Sequence, residues 1–196
     1  MKTGEKQPSA TGGLPQGLAA LVAQAGKPAR ARPVDRWNPP YCGEIDMRIA
    51  AEGTWFYRGT PIEREALVRL FASILRREPD GRYVLVTPVE RLGITVDDAA
   101  FLAVEAAIEG AGAGRTLTFR TNVGDIVAAG PEHPLRFEAE TGTGGLKPYL
   151  HVRGGLEALV TRSLSLDLVA LGDERAGAAG IWSGGAFFAF PETALG

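Results

Sequence analysis

Residues 44–58, EIDMRIAAEGTWFYR, read as two strands around Glu52-Gly53, the first of them alternating polar and apolar side chains. Successive strand residues point to opposite faces, so the pattern specifies a hairpin and, with its register, which side chains are buried. A two-residue loop at Glu52-Gly53 pairs Ala51 with Thr54, Ile49 with Phe56 and Arg48 with Tyr57. That register sends Met47, Ile49, Thr54 and Phe56 toward a core and leaves Asp46, Arg48, Trp55 and Tyr57 on the other face. A lone hairpin is unstable with one wet side, so something is expected to cover that aromatic, charged face. A second subdomain docking there would do so, and incomplete docking would leave a cleft in which a ring stacks a planar ligand while arginines hold its anionic part.

The next segment, TPIEREALVRLFASILRREPDG, predicts a helix with Thr60 as N-cap, Pro61 in the first turn and Glu63 completing a capping box. Leu67, Leu70, Phe71, Ile74 and Leu75 form its buried stripe, and Pro79-Asp80-Gly81 ends it. RYVLVTP predicts a buried strand, and GITVDDAAFLAVEAAIEG one or two more. After GAGAG, short strands recur between turns in RTLTFRTN, DIVAAG, LRFEAE and PYLHVRG. GLEALVTRSLSLDLVAL is expected to be helical, although Leu164, Leu166 and Leu168 also alternate at strand period. EALVRLFASIL and EALVTRSLSLDL open identically, which suggests an α+β duplication. The expected divisions are 1–36, a mobile N-terminal segment with a short helix at GLAALVAQAG, then 37–100 and 101–196, two α+β subdomains.

A chain of 196 residues buries roughly 70% of its unfolded surface and needs no disulfide scaffold. Cys42 is the single cysteine, expected as a small buried hydrophobe in a reducing cytoplasm. His133 and His151 are the only histidines, and no cluster has metal-ligand spacing, so no metal is expected. The net charge of -2 argues against a nucleic-acid polymer or a membrane surface as partner. No apolar run reaches the roughly 20 residues of a membrane helix. Lys2 and Lys6 before GLAALVAQA imitate a secretory signal poorly, because Pro15, Gln16 and Gln24 interrupt the apolar stretch.

GAGAGRT and GTGG lead toward strands and lack the Lys-Ser/Thr of a phosphate loop, so both are expected to be turns and no cofactor is implied. WSGG lacks the spacing of a nucleophile elbow, which leaves Ser183 structural or ligand-contacting. Adjacent Asp97 and Asp98 would point apart in a strand, and Arg48 would keep Asp46 ionised. Arg136 and Glu138, and then Tyr149, His151 and Arg153, supply matching polar strand faces in the second half.

WNPPYCGEIDMRIAAEGTWFYRGTPIEREALVRLFASILRRE, YVLVTPVERLGITVDDAAF and GIWSGGAFFAF together resemble the bacterial family called domain of unknown function 1285. The resemblance runs from about Trp37 to Phe190. It implies two related α+β subdomains, the C-terminal one superficially like a pleckstrin-homology fold. It also implies a ligand site between the subdomains, for a nucleotide-like molecule, and a role in signalling. It carries no catalytic residues.

The candidate ligand-binding residues are therefore Trp37, Asp46, Arg48, Trp55, Tyr57, Arg136, Tyr149, His151, Arg153 and Ser183, with no catalytic and no metal residues. The expected function is a non-enzymatic cytoplasmic sensor or adaptor for a small anionic, nucleotide-like ligand. Two alternatives stay open: a module that receives a protein partner on a sheet edge or apolar patch, and an enzyme using Asp46, His151 or Ser183. Oligomeric state is left open.

Overall fold

The structure, a computed structural model, describes residues 13–23, 32–140 and 145–191. They form two compact units: the described residues up to Ala50 with Thr54–Asp97, and Ala51–Gly53 with the described residues from Asp98 on.

The first unit runs through helix α1 (Gln16–Val22), a 3-10 turn at Val34–Arg36, strands β1 (Tyr41–Ile49), β2 (Trp55–Tyr57) and β3 (Thr60–Pro61), helix α2 (Glu65–Ser73), and strands β4 (Leu75–Arg77), β5 (Tyr83–Val86) and β6 (Arg91–Val96). Its sheet has the order β3-β2-β1-β6-β5-β4. β1 and β6 are parallel, and every other neighbouring pair is antiparallel. Two antiparallel meanders are thus joined through the first strand of one and the last strand of the other.

The hairpin expectation needs a correction. Ile49 pairs with Trp55, Arg48 with Phe56 and Met47 with Tyr57, one residue away from the predicted register. The Ala50 N–H donates to the Thr54 carbonyl, so the connection is longer than Glu52-Gly53. A one-residue slip exchanges the faces of the whole strand. Trp55 and Tyr57 are buried with Met47 and Ile49, while Phe56 lies outside with Arg48. The Trp55 ring stacks on Phe71 of α2, with centroids 6.2 Å apart. The tight turn lies instead at Arg58-Gly59, where both residues have positive φ, 51° and 72°, the two-residue geometry that matches strand twist.

That turn also removes the predicted helix start. Thr60 and Pro61 form β3, an edge strand in which proline's missing N–H costs no ladder bond, and α2 begins at Glu65 with no side-chain cap. Leu67, Leu70, Phe71, Ile74 and Leu75 are all buried as expected, but Leu75 already belongs to β4.

Helix α1 is the short helix expected at GLAALVAQAG, and it packs beside α2. Residues 1–12 and 24–31 of the segment expected to be mobile, including Gly26 as the expected helix end, lie outside the described residues. Leu18 is fully buried, and its N–H donates to Glu90 Oε1 at 2.8 Å. A Cβ on Gly17 would sit 2.6 Å from the same carboxylate oxygen, so the close approach requires glycine.

The second unit contains β7 (Phe101–Glu109), β8 (Thr116–Thr121), β9 (Ile126–Ala128), β10 (Leu135–Ala139), β11 (Leu146–Arg153), β12 (Leu156–Val160), helix α3 (Arg162–Ala170), and β13 (Asp173–Arg175), β14 (Ala178–Ser183) and β15 (Ala186–Ala189). Its large sheet has the order β10-β11-β12-β7-β8-β9, with β12 and β7 parallel and the remaining pairs antiparallel. This is the strand order of the first unit: two meanders joined through the first and last of six strands. The two units are similar and sheet-rich with few helices, consistent with a duplicated domain.

The duplication lies in topology and not in the shared tetrapeptide. Glu65–Val68 opens α2, whereas Glu157–Val160 lies in β12. The helical expectation for GLEALVTRSLSLDLVAL is corrected accordingly: its first part is strand, and the part that alternated in leucine is helix, with Ser165 and Leu168 on the buried face.

The second sheet is strongly curled. Arg153 on β11 pairs with Asp125, just before β9, at 2.7 Å. Four strand spacings separate β11 from β9, roughly 19 Å in a flat sheet and beyond the reach of the two side chains. Phe101, Leu117, Phe119, Leu150, Leu156 and Val160 fill the inside, with Leu168 from α3 and Ile181 from β14.

Candidate functional site

One cluster of polar groups in the second unit joins the β10–β11–β12 meander to Asp98. Asp98 accepts hydrogen bonds from Lys147 Nζ at 2.6 Å and from the Tyr149 hydroxyl at 2.8 Å. The bond to Asp98 holds the Lys147 ammonium well above the usual lysine range. Burial pushes the Tyr149 phenol up. Arg136 lies over the Tyr149 ring at 4.2 Å and grips Glu157 with two bonds of 3.0 and 2.9 Å, and it also pairs with Glu138. Its pKa is raised, chiefly by Glu157.

A pocket of about 340 Å³ opens where β12 passes into α3. Leu146, Leu159, Leu166 and Val169 give it an aliphatic wall, and Leu166 is 64% exposed. Lys147 and Arg162 line it with positive charge against one carboxylate, Glu140. Ser165 on its wall donates to the Leu146 carbonyl. This volume is at the lower end of the roughly 300–1,000 Å³ of small-molecule sites.

The sequence-predicted residues fall in several places. Tyr149 and Arg136 meet in the cluster beside this pocket. His151 stacks on His133 at 5.8 Å, its Nδ1 meets the Glu132 carbonyl, and the Gly155 N–H donates to its Nε2. Arg153 faces Asp125 and the Phe101 ring. Ser183 is fully buried, accepting from the Leu117 N–H at 2.9 Å and donating to the Ala129 carbonyl at 2.7 Å, so it clips strands together and offers no hydroxyl to a surface ligand.

In the first unit, the Trp37 carbonyl receives Arg76, which ties the segment before β1 to β4. Asp46 and Arg48 line a separate hollow of about 200 Å³ with Phe56 and Thr95. Arg48 spends its charge on Asp97 and the Phe56 ring. Trp55 is closed off in the core, and so is Tyr57 except for its hydroxyl, which donates to the Gly13 carbonyl. Cys42, expected to be buried, is exposed.

Lys147, Arg162, Leu166 and Val169 were missed by the sequence reasoning. A signal existed: Leu166 and Val169 are three apart, on a helix face that Ser165 and Leu168 do not share. The strand-period alternation of Leu164, Leu166 and Leu168 concealed it. Among the described residues no three His, Cys, Asp or Glu side chains come together as a metal site, and no helix is long and apolar enough to cross a membrane.

This is a two-domain chain whose halves each match a family model of unknown function. Residues 32–99 match the N-terminal domain of DUF1285 and residues 100–190 its C-terminal domain, so the chain belongs to the DUF1285 family. A crystal structure of a DUF1285 family protein from Silicibacter pomeroyi DSS-3 is 51% identical over 86% of this chain and 93% of that one, with a TM-score of 0.80. Another, from Shewanella baltica OS155, is 28% identical over 66% of this chain and 94% of that one, with a TM-score of 0.51. No curated protein matches the chain.

Proposed function

We propose that the chain is a non-catalytic binding protein for a small anionic ligand, acting as a cytoplasmic sensor or adaptor in signalling, with its site in the C-terminal unit. The observation that carries this reading is the pocket beside α3, where Lys147 and Arg162 stand over an aliphatic wall. Apolar surface supplies affinity and a few placed charges supply orientation, the usual division of labour in a small-molecule site. Of the residues an enzyme reading would use, Ser183 is committed to two backbone groups, and His151 meets the Glu132 carbonyl, the Gly155 N–H and the His133 ring. A curled six-stranded sheet followed by a helix supports the superficial likeness to a pleckstrin-homology fold. A thermal-shift panel of small carboxylates, phosphates and nucleotides tests the proposal, because a ligand of the native state raises the melting temperature by mass action. At least one anion should stabilise the wild type and lose that effect in Arg162→Gln. A panel that stabilises neither protein would remove the proposal.

A further inference from the structure

The lining of the pocket narrows the ligand class. Among the described residues its apolar part is made of Leu146, Leu159, Val160, Leu166 and Val169, with no aromatic ring. A nucleobase gains much of its affinity by stacking on an aromatic face, and none is offered here. The nearby aromatic of the meander, Tyr149, is 5% exposed and carries Arg136 on its ring. Branched aliphatic side chains suit instead a flexible hydrocarbon chain, which gains by removing methylenes from water. Arg162 has no hydrogen-bond or ion-pair partner among the described residues, and its guanidinium matches a carboxylate with two parallel donors. Lys147 also lines the pocket, but its charge is answered by Asp98 at 2.6 Å.

We infer that the pocket binds a single-chain aliphatic carboxylate, a free fatty acid of medium length, with its head at Arg162 and its tail against Leu159, Leu166 and Val169. This rests on the binding function proposed above and replaces a nucleotide-like ligand with an acyl one. With Lys147 balanced by Asp98, Arg162 is the lining cation that favours an anionic head over a neutral one. The exposed Leu166 is then the side chain that the tail covers.

Calorimetric titration of the full chain with hexanoate, octanoate, decanoate and dodecanoate, each below its micelle concentration, tests the inference. Affinity should rise about fourfold per added methylene and flatten once the chain fills the pocket. Arg162→Gln should weaken decanoate by about tenfold while leaving decanol binding unchanged. Leu166→Asp, a change at an exposed helix position, should abolish both. AMP and ADP are titrated alongside. Nucleotide binding that depends on Arg162, with the carboxylates silent, would overturn the acyl assignment and leave the anion-binding function standing. Silence from both classes would overturn both. Concentration-dependent dimerisation abolished by Leu166→Asp, without carboxylate binding, would give this face to a second copy of the chain and overturn the inference.

Discussion

Trp55 carries an indole N–H that is buried without a hydrogen-bond partner among the described residues. An unpaired buried donor costs about 1–3 kcal/mol, so the residue is held by its ring and in spite of its polar atom. Trp55→Phe should therefore cost about 1 kcal/mol, the lost volume being offset by removal of the orphan donor, whereas Trp55→Ala should cost about 3–5 kcal/mol. Urea unfolding of both variants checks this, and equal losses would mean that the N–H is satisfied. Tyr149 and Lys147 make a second residue-level prediction. Both hold their protons to higher pH in the folded state than in the unfolded chain, Tyr149 through burial and Lys147 through Asp98. Unfolded tyrosine and lysine titrate near pH 10, so this stability is complete below about pH 10 and is lost as the pH climbs through the raised folded values. Tyr149→Phe should lose less of its urea midpoint between pH 8 and pH 11 than the wild type does. A steeper loss in the variant would remove Tyr149 from the linkage.

At the scale of elements, the β2–β3 turn places Arg58 at φ 51°, a region that costs most L-residues about 1–2 kcal/mol. Asn tolerates it, and Asn-Gly is the preferred pair for such a turn. Arg58→Asn should raise stability by about 0.5–1 kcal/mol, read as a higher melting temperature; a lower one would show that the Arg58 contact with the Tyr57 ring outweighs the strain. The same turn shows what the sequence made legible and what it did not. Alternation in β1 correctly placed Asp46 and Arg48 outward and Met47 and Ile49 inward, because one strand carries its own period. It did not fix β2, whose faces depend on the length of the loop from Ala50 to Thr54, and Trp-Phe-Tyr is apolar at every position. Thr60-Pro61-Ile62-Glu63 satisfies the rule for a helix start, yet pairing with Phe56 and Tyr57 uses Thr60 and Pro61 first. The pocket was harder still to see, since Lys147 and Arg162 meet only through the packing of α3 beside β11.

For the whole molecule, two sheets of identical strand order each enclose their own core. Phe71→Ala should cost about 3–5 kcal/mol by opening a cavity under Trp55, and amide exchange should rise first at Val84–Val86 while Leu117 and Phe119 keep their protection. Simultaneous loss in both units would show a single cooperative block. The parallel pair at the centre of each sheet has a consequence for how the chain is made. β1 and β6 are the first and last strands of their sheet, as β7 and β12 are of theirs. On a ribosome delivering about 5–20 residues per second, the first meander emerges seconds before the strand that must pair with its inner edge. Throughout that wait β1 is an open template for other nascent chains, and Glu44, Asp46 and Arg48, spaced along it, are the charges that discourage such pairing during translation.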